Sequence, residues 1–415
     1  MGLLRRLASA VAAAGILLAG SLPAAALAEE NDYDYERSSL AMMLIRHEAT
    51  QFGVEIQYVF SRMRIPDRFN DHGLGVRLVS FAEQGRGTEG SIESFVRQVA
   101  LGRRLVARWF NRDKTSGVMN MDLVRQRGLY NATRSSEEIA RSQMRGMALL
   151  EDAGENLLNN TYVVFNDITY VDHANGLGIF KDVMNVTSTL AQTWLTQTVV
   201  GDDDNPFENP TLSSFNASID DIKSFRVKIV SYLYRLRWND EVAGKFYSSY
   251  YTDSPDAAKS KAFDADRESF TLEYVGKVQS TASNTSMKGT TTAEQLITKV
   301  CTRAVDKNLA KLQKEFADFR IKAPLVSTEP LVAHVGLRED VTPDSRFEVL
   351  ERSIDKTGKV KYRRVGVIRP EKGRICDNRY WAKEEETENS RLQGTTFTKV
   401  SGGSFYPGML IREIK

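Results

Sequence analysis

Two Asp-His pairs are the side chains with the clearest potential for chemistry in this sequence. Asp71-His72 and Asp172-His173 each stand just before a turn, and the two segments share a D-H...G-L-G outline. An aspartate beside a histidine can orient the imidazole for proton transfer or for binding a metal. If the two loops converge, they form the site of a secreted hydrolase. The alternative is two separate turns, in which Asp and Asn tolerate the left-handed backbone that Gly adopts freely.

Acidic runs offer oxygen ligands for a cation. In Asp202-Asp203-Asp204-Asn205, the carboxylates of Asp202 and Asp204 are candidate calcium ligands. The sequence that follows is not the remainder of an EF-hand loop, so a solvated acidic loop is the alternative interpretation. Glu384-Glu385-Glu386 is likewise interpreted as a solvated loop face.

Four aromatic residues cluster in an otherwise polar stretch. Phe246, Tyr247, Tyr250 and Tyr251 lie beside a segment, 252–268, in which acidic and basic residues mix. An exposed cluster of this kind would be a partner-binding or membrane-interface tip. The alternative is packing of the same side chains against the sheet.

The two cysteines also allow two interpretations. Cys301 stands among the apolar positions of an amphipathic helical stretch, where it would be a small buried hydrophobe. A disulfide to Cys376 would instead tie that helix to the following domain, provided that the two Cα atoms lie within about 7 Å.

Several kinds of site are excluded by spacing. The four histidines, His47, His72, His173 and His334, show neither H-x-x-x-H nor H-x-H spacing, and His47-Glu48 is followed by Gln51 where a zincin motif needs histidine. There is no G-x-S-x-G elbow, no phosphate-binding P-loop and no dinucleotide fingerprint. We therefore expect no cofactor.

The composition is that of a globular chain. Of its 415 residues 41% are hydrophobic, and 56 basic residues face 54 acidic ones. Arg5 and Arg6 belong to a segment predicted to be removed, which leaves 54 of each sign. A neutral chain of this hydrophobicity is neither a nucleic-acid clamp nor a disordered acidic tail. Its length allows two or three cores at about 150 residues each.

Residues 1–28 are typical of a secretory signal peptide. Arg5 and Arg6 precede an apolar run, and Ala26-Leu27-Ala28 forms a cleavage site before Glu29. The apolar run is shorter than the ~20 residues that span a membrane, which favours cleavage over an uncleaved anchor helix. No later stretch is apolar enough for a transmembrane helix. We expect an exported protein, periplasmic or extracellular.

The elements that must position these side chains fall into an α+β arrangement. Residues 29–90 form a mixed N-terminal segment that packs on the main domain, and residues 91–325 form an α/β sandwich domain with a polar insertion at 239–267. Periodicity predicts helices over 135–157, 177–198 and 292–319, and strands over 105–110, 162–165, 225–238 and 270–274. The insertion is predicted to be a projecting hairpin or similar excursion.

The pattern changes after Pro330. Short β-type runs at 331–335, 347–350, 362–368, 397–400 and 409–411 alternate with turn residues. This spacing predicts a small all-β barrel over 330–415. The long helix 292–319 would then end the α/β domain just before the barrel.

The order of elements resembles that of known envelope proteins. The run from Ala140 into Tyr162–Phe165, followed by 225–238, 270–279 and 292–319, is similar to the α/β domain of the curli secretion channel lipoprotein family. The segment 335–349 resembles the small β-barrel that ends the periplasmic flagellar assembly protein T family, with Asp344-Ser345 in place of that family's Gly-Asp. The resemblance implies an assembly or scaffold protein without catalysis. Pore formation is not carried over, because the lipidation cysteine is missing and the insertion is too polar for membrane hairpins.

The sequence therefore favours an exported, non-enzymatic assembly or binding protein that contacts envelope or surface proteins, or a second copy of itself. The secreted hydrolase with paired Asp-His loops is the alternative. Neither nucleic acid nor a cofactor is an expected partner.

Overall fold

The structure is a computed structural model of the chain. It describes residues 38–47, 50–66, 68–69, 76–80, 87–131, 157–171, 222, 224–285, 291–320, 322–354 and 360–414. The signal segment and most of the helices predicted over 135–157 and 177–198 lie outside the described residues, and these predictions are untested.

A mixed five-stranded sheet forms the first unit. Its strands are β1 (Ser39–Ile45), β2 (Val76–Val79), β3 (Thr161–Tyr170), β4 (Ser224–Leu236) and β5 (Leu272–Thr285), in the order β2-β1-β3-β4-β5. β1 pairs in parallel with both β2 and β3, whereas β4 is antiparallel to both of its neighbours, β3 and β5. Every residue of β1 is buried, as expected of a central strand covered on both faces.

Helices cover both faces of this sheet. α1 (Gly53–Ser61) precedes β2, and α2 (Gly87–Gln98), α3 (Leu101–Trp109) and α4 (Asp122–Asn131) follow it. α5 (Asp240–Ser249) and α6 (Ala257–Ala265) lie between β4 and β5, and α7 (Ala293–Glu315) follows β5. Alternate residues of β1 enter two separate cores. Leu40 and Met42 join α1 and α7, whereas Ala41 and Met43 join α2, α3 and α5. Among the described residues, no helix combines the length and the apolar character needed to cross a membrane.

The strand predicted over 105–110 is wrong, because these residues belong mainly to α3. Leu101, Leu105 and Trp109 are all fully buried, and their spacing of four residues places them on one face of a helix. The apolar run at 105–110 is therefore part of the core-facing side of a helix. Six residues are too few to distinguish the helical period from that of a strand.

The insertion 239–267 is not a projecting hairpin. Asn239 and Asp256 cap α5 and α6 through their side chains, and each accepts a hydrogen bond from a backbone amide in the first turn. Val242 and Phe246 then face the core at a spacing of four residues. The segment is a helical pair that packs on the sheet.

The long helix predicted over 292–319 is confirmed as α7. Thr292 and Gln295 form the capping box expected from their spacing. The helix ends earlier than predicted, at Glu315, because Phe316 is extended and a short 3-10 turn follows at Ala317–Phe319.

The all-β barrel is also confirmed, as a closed six-stranded structure. Its strands are β6 (Ala323–Thr328), β7 (Leu331–Ala333), β8 (Arg346–Ile354), β9 (Val360–Pro370), β10 (Thr395–Gly402) and β11 (Leu410–Ile414). They close in the order β10-β7-β6-β11-β8-β9 around a core that includes Phe347, Ile368 and Phe397. The barrel begins at Ala323 rather than at residue 330, because β6 runs through the segment that looked like a domain boundary.

Candidate functional site

The candidate residues of the loops are not among those described. Asp71, His72, Asp172, His173, Asp202 and Asp204 all lie outside the described residues. The two Asp-His segments flank β2 and β3, and the register places Val76 level with Val164. Tyr170, six residues further along β3, is about 20 Å away in the strand direction. The ends of β2 and β3 that precede or follow these segments in the chain thus lie at different levels of the sheet, and the convergence of the segments stays a prediction.

The aromatic cluster packs inside the α/β domain, so the exposed-tip interpretation needs correction. Phe246 is 0% exposed and Tyr250 is 5% exposed, and Tyr247 and Tyr251 pack against the same core. The ring centroid of Phe246 lies 4.4 Å from that of Phe110. These side chains bury aromatic surface between α3 and α5 and are not a partner-binding tip.

The disulfide between Cys301 and Cys376 does not form. Both thiols are free and buried. Cys301 lies on the side of α7 that faces the sheet, whereas the Cys376 thiol donates a hydrogen bond to the carbonyl of Leu392 at 3.0 Å. Burial raises the pKa of the Cys301 thiol to about 12.

The barrel is attached to the α/β domain along one stripe of α7. Lys299, Arg303, Asp306 and Lys314 recur at the spacing of a helix face, and each pairs with a charged residue of the barrel unit. Lys299 and Arg303 share Glu385, and Arg338 Nε lies 3.0 Å from Asp306 Oδ1. This stripe lies beside the apolar stripe of the same helix, and only the apolar stripe was predicted from the sequence.

Asp306 is the most deeply buried charge of this junction. It is 5% exposed, and its Oδ2 atom has no hydrogen-bond partner within the part of the chain that the structure describes. Burial raises the pKa of its carboxyl above the usual value, against the opposite effects of Arg338 and Arg68.

Arg68 crosses the same junction from the α/β domain. Its Nη1 atom donates to Glu339 Oε1 at 2.6 Å, and Glu339 Oε2 accepts from Asn378 and from the backbone of Gly336. The remaining guanidinium nitrogens, Nε and Nη2, are buried without a hydrogen-bond partner among the described residues. Burial lowers the pKa of this guanidinium, and Glu339 opposes that shift.

A cleft of about 650 Å³ opens where Arg68 meets α7 and the end of the barrel. Ala323, Pro324 and Ile414, which are not fully buried, contribute apolar surface. Glu339 and Glu413 line the cleft as well, and Asp306 lies close by. The basic side chains of the lining are more numerous, and they are Arg68, Lys314, Arg320, Lys322 and Arg338. Gln313 also lines the cleft, and its Nε2 atom is buried without a partner among the described residues. The arrangement can bind an anionic group that brings hydrogen-bond acceptors.

Apart from the cleft, a histidine and an aspartate pair at the carboxyl end of the parallel strand β1. His47, just after β1, has Nε2 2.7 Å from Asp167 Oδ1 of β3, and each side chain is 22% exposed. Asp167 can hold the imidazole in one orientation. No local motif marks this pair in the sequence, because His47 has no histidine at a metal-ligand spacing and Asp167 is 120 residues away in the chain. Within the described residues, no group of three or more His, Cys, Asp or Glu side chains could hold a metal ion.

Comparison with known proteins adds no family. No protein-family model matches the chain, and a search of the curated proteins finds no significant match. The resemblance to curli secretion and flagellar assembly proteins therefore stays a prediction.

Proposed function

We propose that this chain is an exported, non-enzymatic binding protein of the cell envelope that acts through protein–protein contacts. The cleft between the α/β domain and the barrel is the proposed binding site. The observation that carries the proposal is the set of buried, unpartnered donors on Arg68 and Gln313 in the cleft wall. An unsatisfied buried donor costs about 1–3 kcal/mol of stability, and a bound partner that brings acceptors removes this cost.

The junction itself supports a binding role. Ion pairs from α7 hold the barrel at a fixed position, so that the two walls of the cleft are positioned before a partner arrives. Preorganised walls lower the entropy that binding has to overcome.

Position-specific crosslinking tests the proposal. A photoreactive amino acid replaces His334, an exposed residue at the cleft, and in a control it replaces Val400, which is 49% exposed on β10 outside the cleft. In cells that make the protein, we expect position 334 to form a discrete crosslinked product that position 400 does not form. Equal labelling from both positions, or no product at 334, contradicts the proposal.

Export is tested separately. If residues 1–28 are a cleaved signal peptide, the amino-terminal residue of the protein recovered from the envelope fraction is Glu29. Recovery of the uncleaved chain from the cytoplasmic fraction contradicts this part of the proposal.

A further inference from the structure

We infer that the cleft recognises an acidic peptide segment, with one carboxylate of the segment held by Nε and Nη2 of Arg68. This inference rests on the proposed function and adds the chemistry of the partner. Its starting point is the guanidinium of Arg68, of which one side is used and the other is not.

The unused side of Arg68 has the geometry that a carboxylate needs. Nε and Nη2 carry two parallel N–H groups, which form a fork that fits the two oxygens of a carboxylate. Glu339 already takes Nη1, so it fixes the guanidinium in place and leaves the fork pointing away from it. Glu339 is itself held by Asn378 and by the backbone of Gly336.

The other basic side chains at the cleft have partners. Arg320 donates to the carbonyls of Gln313 and Lys314 at the end of α7, and Lys314 pairs with Asp340. Arg338 pairs with Asp306. The fork of Arg68, the amide of Gln313 and Nε of Arg338 are buried without a hydrogen-bond partner among the described residues, and the surrounding positive charge favours an anion.

The shape and the apolar wall favour a peptide over other anions. A cleft of about 650 Å³ holds several side chains, whereas a flat membrane surface cannot enter a concave site. Ala323, Pro324 and Ile414 offer apolar contacts that an isolated inorganic anion cannot use. An acidic segment with interspersed apolar side chains matches both surfaces.

Fluorescence anisotropy on the purified full chain tests the inference. The probe is a fluorescein-labelled, carboxyl-amidated hexapeptide Gly-Leu-Glu-Leu-Glu-Leu, and the control probe carries glutamine in place of both glutamates. We expect the glutamate probe to bind at least about ten-fold more tightly, because a charge-assisted hydrogen bond contributes at least this factor. Equal binding of the two probes overturns the inference.

Arg68→Lys identifies the fork. Lysine keeps the positive charge but lacks the parallel N–H pair, so we expect affinity for the glutamate probe to fall about ten-fold. The matched control is Arg64→Lys, an exposed arginine outside the cleft, which should leave the affinity unchanged. The same loss in both variants means unspecific charge attraction and overturns the inference.

Gln313→Met provides a second variant that does not depend on the junction tolerating a change at Arg68. Methionine has a similar volume and removes the unpartnered amide, so the free protein should melt at a higher temperature. Because the same amide serves the ligand, affinity for the glutamate probe should fall. A higher Tm with unchanged affinity assigns Gln313 no role in binding and overturns its part of the inference.

A competition experiment distinguishes an acidic peptide from an anionic lipid headgroup as the ligand. Vesicles that contain anionic phospholipid should not compete with the glutamate probe. If these vesicles compete with the glutamate probe for the wild-type protein but not for Arg68→Lys, the ligand is a lipid headgroup and the choice of a peptide is overturned. Crosslinking at position 334 without selectivity for the glutamate probe keeps the proposed function and removes this inference. Selective binding of the glutamate probe without a crosslinked product at position 334 keeps this inference and removes the proposed function.

Discussion

Asp377 is a carboxylate that the barrel unit keeps ionised although it is only 2% exposed. Burial raises its pKa, but hydrogen bonds from Arg379 and Thr387 outweigh burial and lower the pKa to about 2. Because the folded-state pKa lies below the unfolded value of 3.8, this group contributes stability that is present above that value. The contribution is lost as the pH falls through about 2.

Asp377→Asn should therefore flatten the acid dependence of stability. Between about pH 4 and pH 2, the variant should lose less unfolding free energy than the wild type, as measured by urea denaturation at each pH. Asp344→Asn, at an exposed aspartate of the same unit, is the control. Parallel pH curves for the wild type and Asp377→Asn would contradict the assignment.

The thiols of Cys301 and Cys376 should not react with a thiol reagent until the chain unfolds. Burial raises the pKa of both Cys301 and Cys376, and both are free. A chromogenic thiol reagent at about pH 8 should detect almost no thiol in the folded protein. In denaturant without a reducing agent, it should detect two thiols per chain. Detection of none after unfolding would restore the disulfide between Cys301 and Cys376.

At the scale of elements, two helical glycines provide an internal comparison. A Cβ on Gly102 of α3 would lie 2.2 Å from the carbonyl oxygen of Phe270, whereas a Cβ on Gly244 of α5 meets nothing within 4 Å. Gly102→Ala should thus destabilise the protein by roughly 2 kcal/mol through overpacking. Gly244→Ala should stabilise it by about 1 kcal/mol, because alanine is the better helix former.

Chemical denaturation of the two alanine variants measures both changes. The result would contradict the close approach of α3 to the segment at Phe270 if Gly102→Ala were as stable as Gly244→Ala.

Two kinds of element could be predicted from the sequence: a helix with several turns of apolar periodicity, and strands separated by turn residues. α7 has a capping box and several turns of periodicity, and the barrel strands are separated by turn residues. α3 could not be assigned from its short apolar run, because such a run fits a strand and a buried helix face equally well. Asn239 and Asp256, as N-caps, were the signal that would have identified α5 and α6.

The candidate site depends on distances that no local pattern contains. Arg68 and Glu339 are 271 residues apart in the chain, and Asp306 reaches the same junction from the middle of α7. Only the docking of the barrel brings them together. The charged stripe of α7 was visible in the sequence, but nothing there identified its partners.

At the scale of the whole molecule, Glu385 is one of the acidic residues of the barrel unit that pair with the α/β domain. Glu385 pairs with Lys299, which is 7% exposed, and with Arg303, whose Nη2 lies 2.5 Å from Glu385 Oε2. Burial raises the pKa of Glu385, but these two cations outweigh burial and lower it. Glu384, Glu385 and Glu386 are all exposed, as predicted for a solvated loop face, and Glu385 in addition pairs with two cations of α7.

Glu385→Gln should destabilise the chain by roughly 2 kcal/mol, because it leaves the ammonium of Lys299 buried without a carboxylate partner. Glu384→Gln removes the charge of the exposed neighbour and should change the free energy of unfolding by less than about 0.5 kcal/mol. Thermal and urea denaturation of both variants measure the difference. Equal stability of the two would mean that the Glu385 pairs contribute nothing to docking.

The position of β11 determines when the barrel can be completed. β11 pairs with β6 on one side and with β8 on the other, and it is the last strand that the structure describes. On the ribosome, the other five strands are therefore synthesised before the strand that closes the ring. Until then, β6 and β8 each present an unpaired edge, which is a template for joining another chain. A cut that removes β11 would therefore leave β6 and β8 with unpaired edges, and we expect the shortened chain to aggregate.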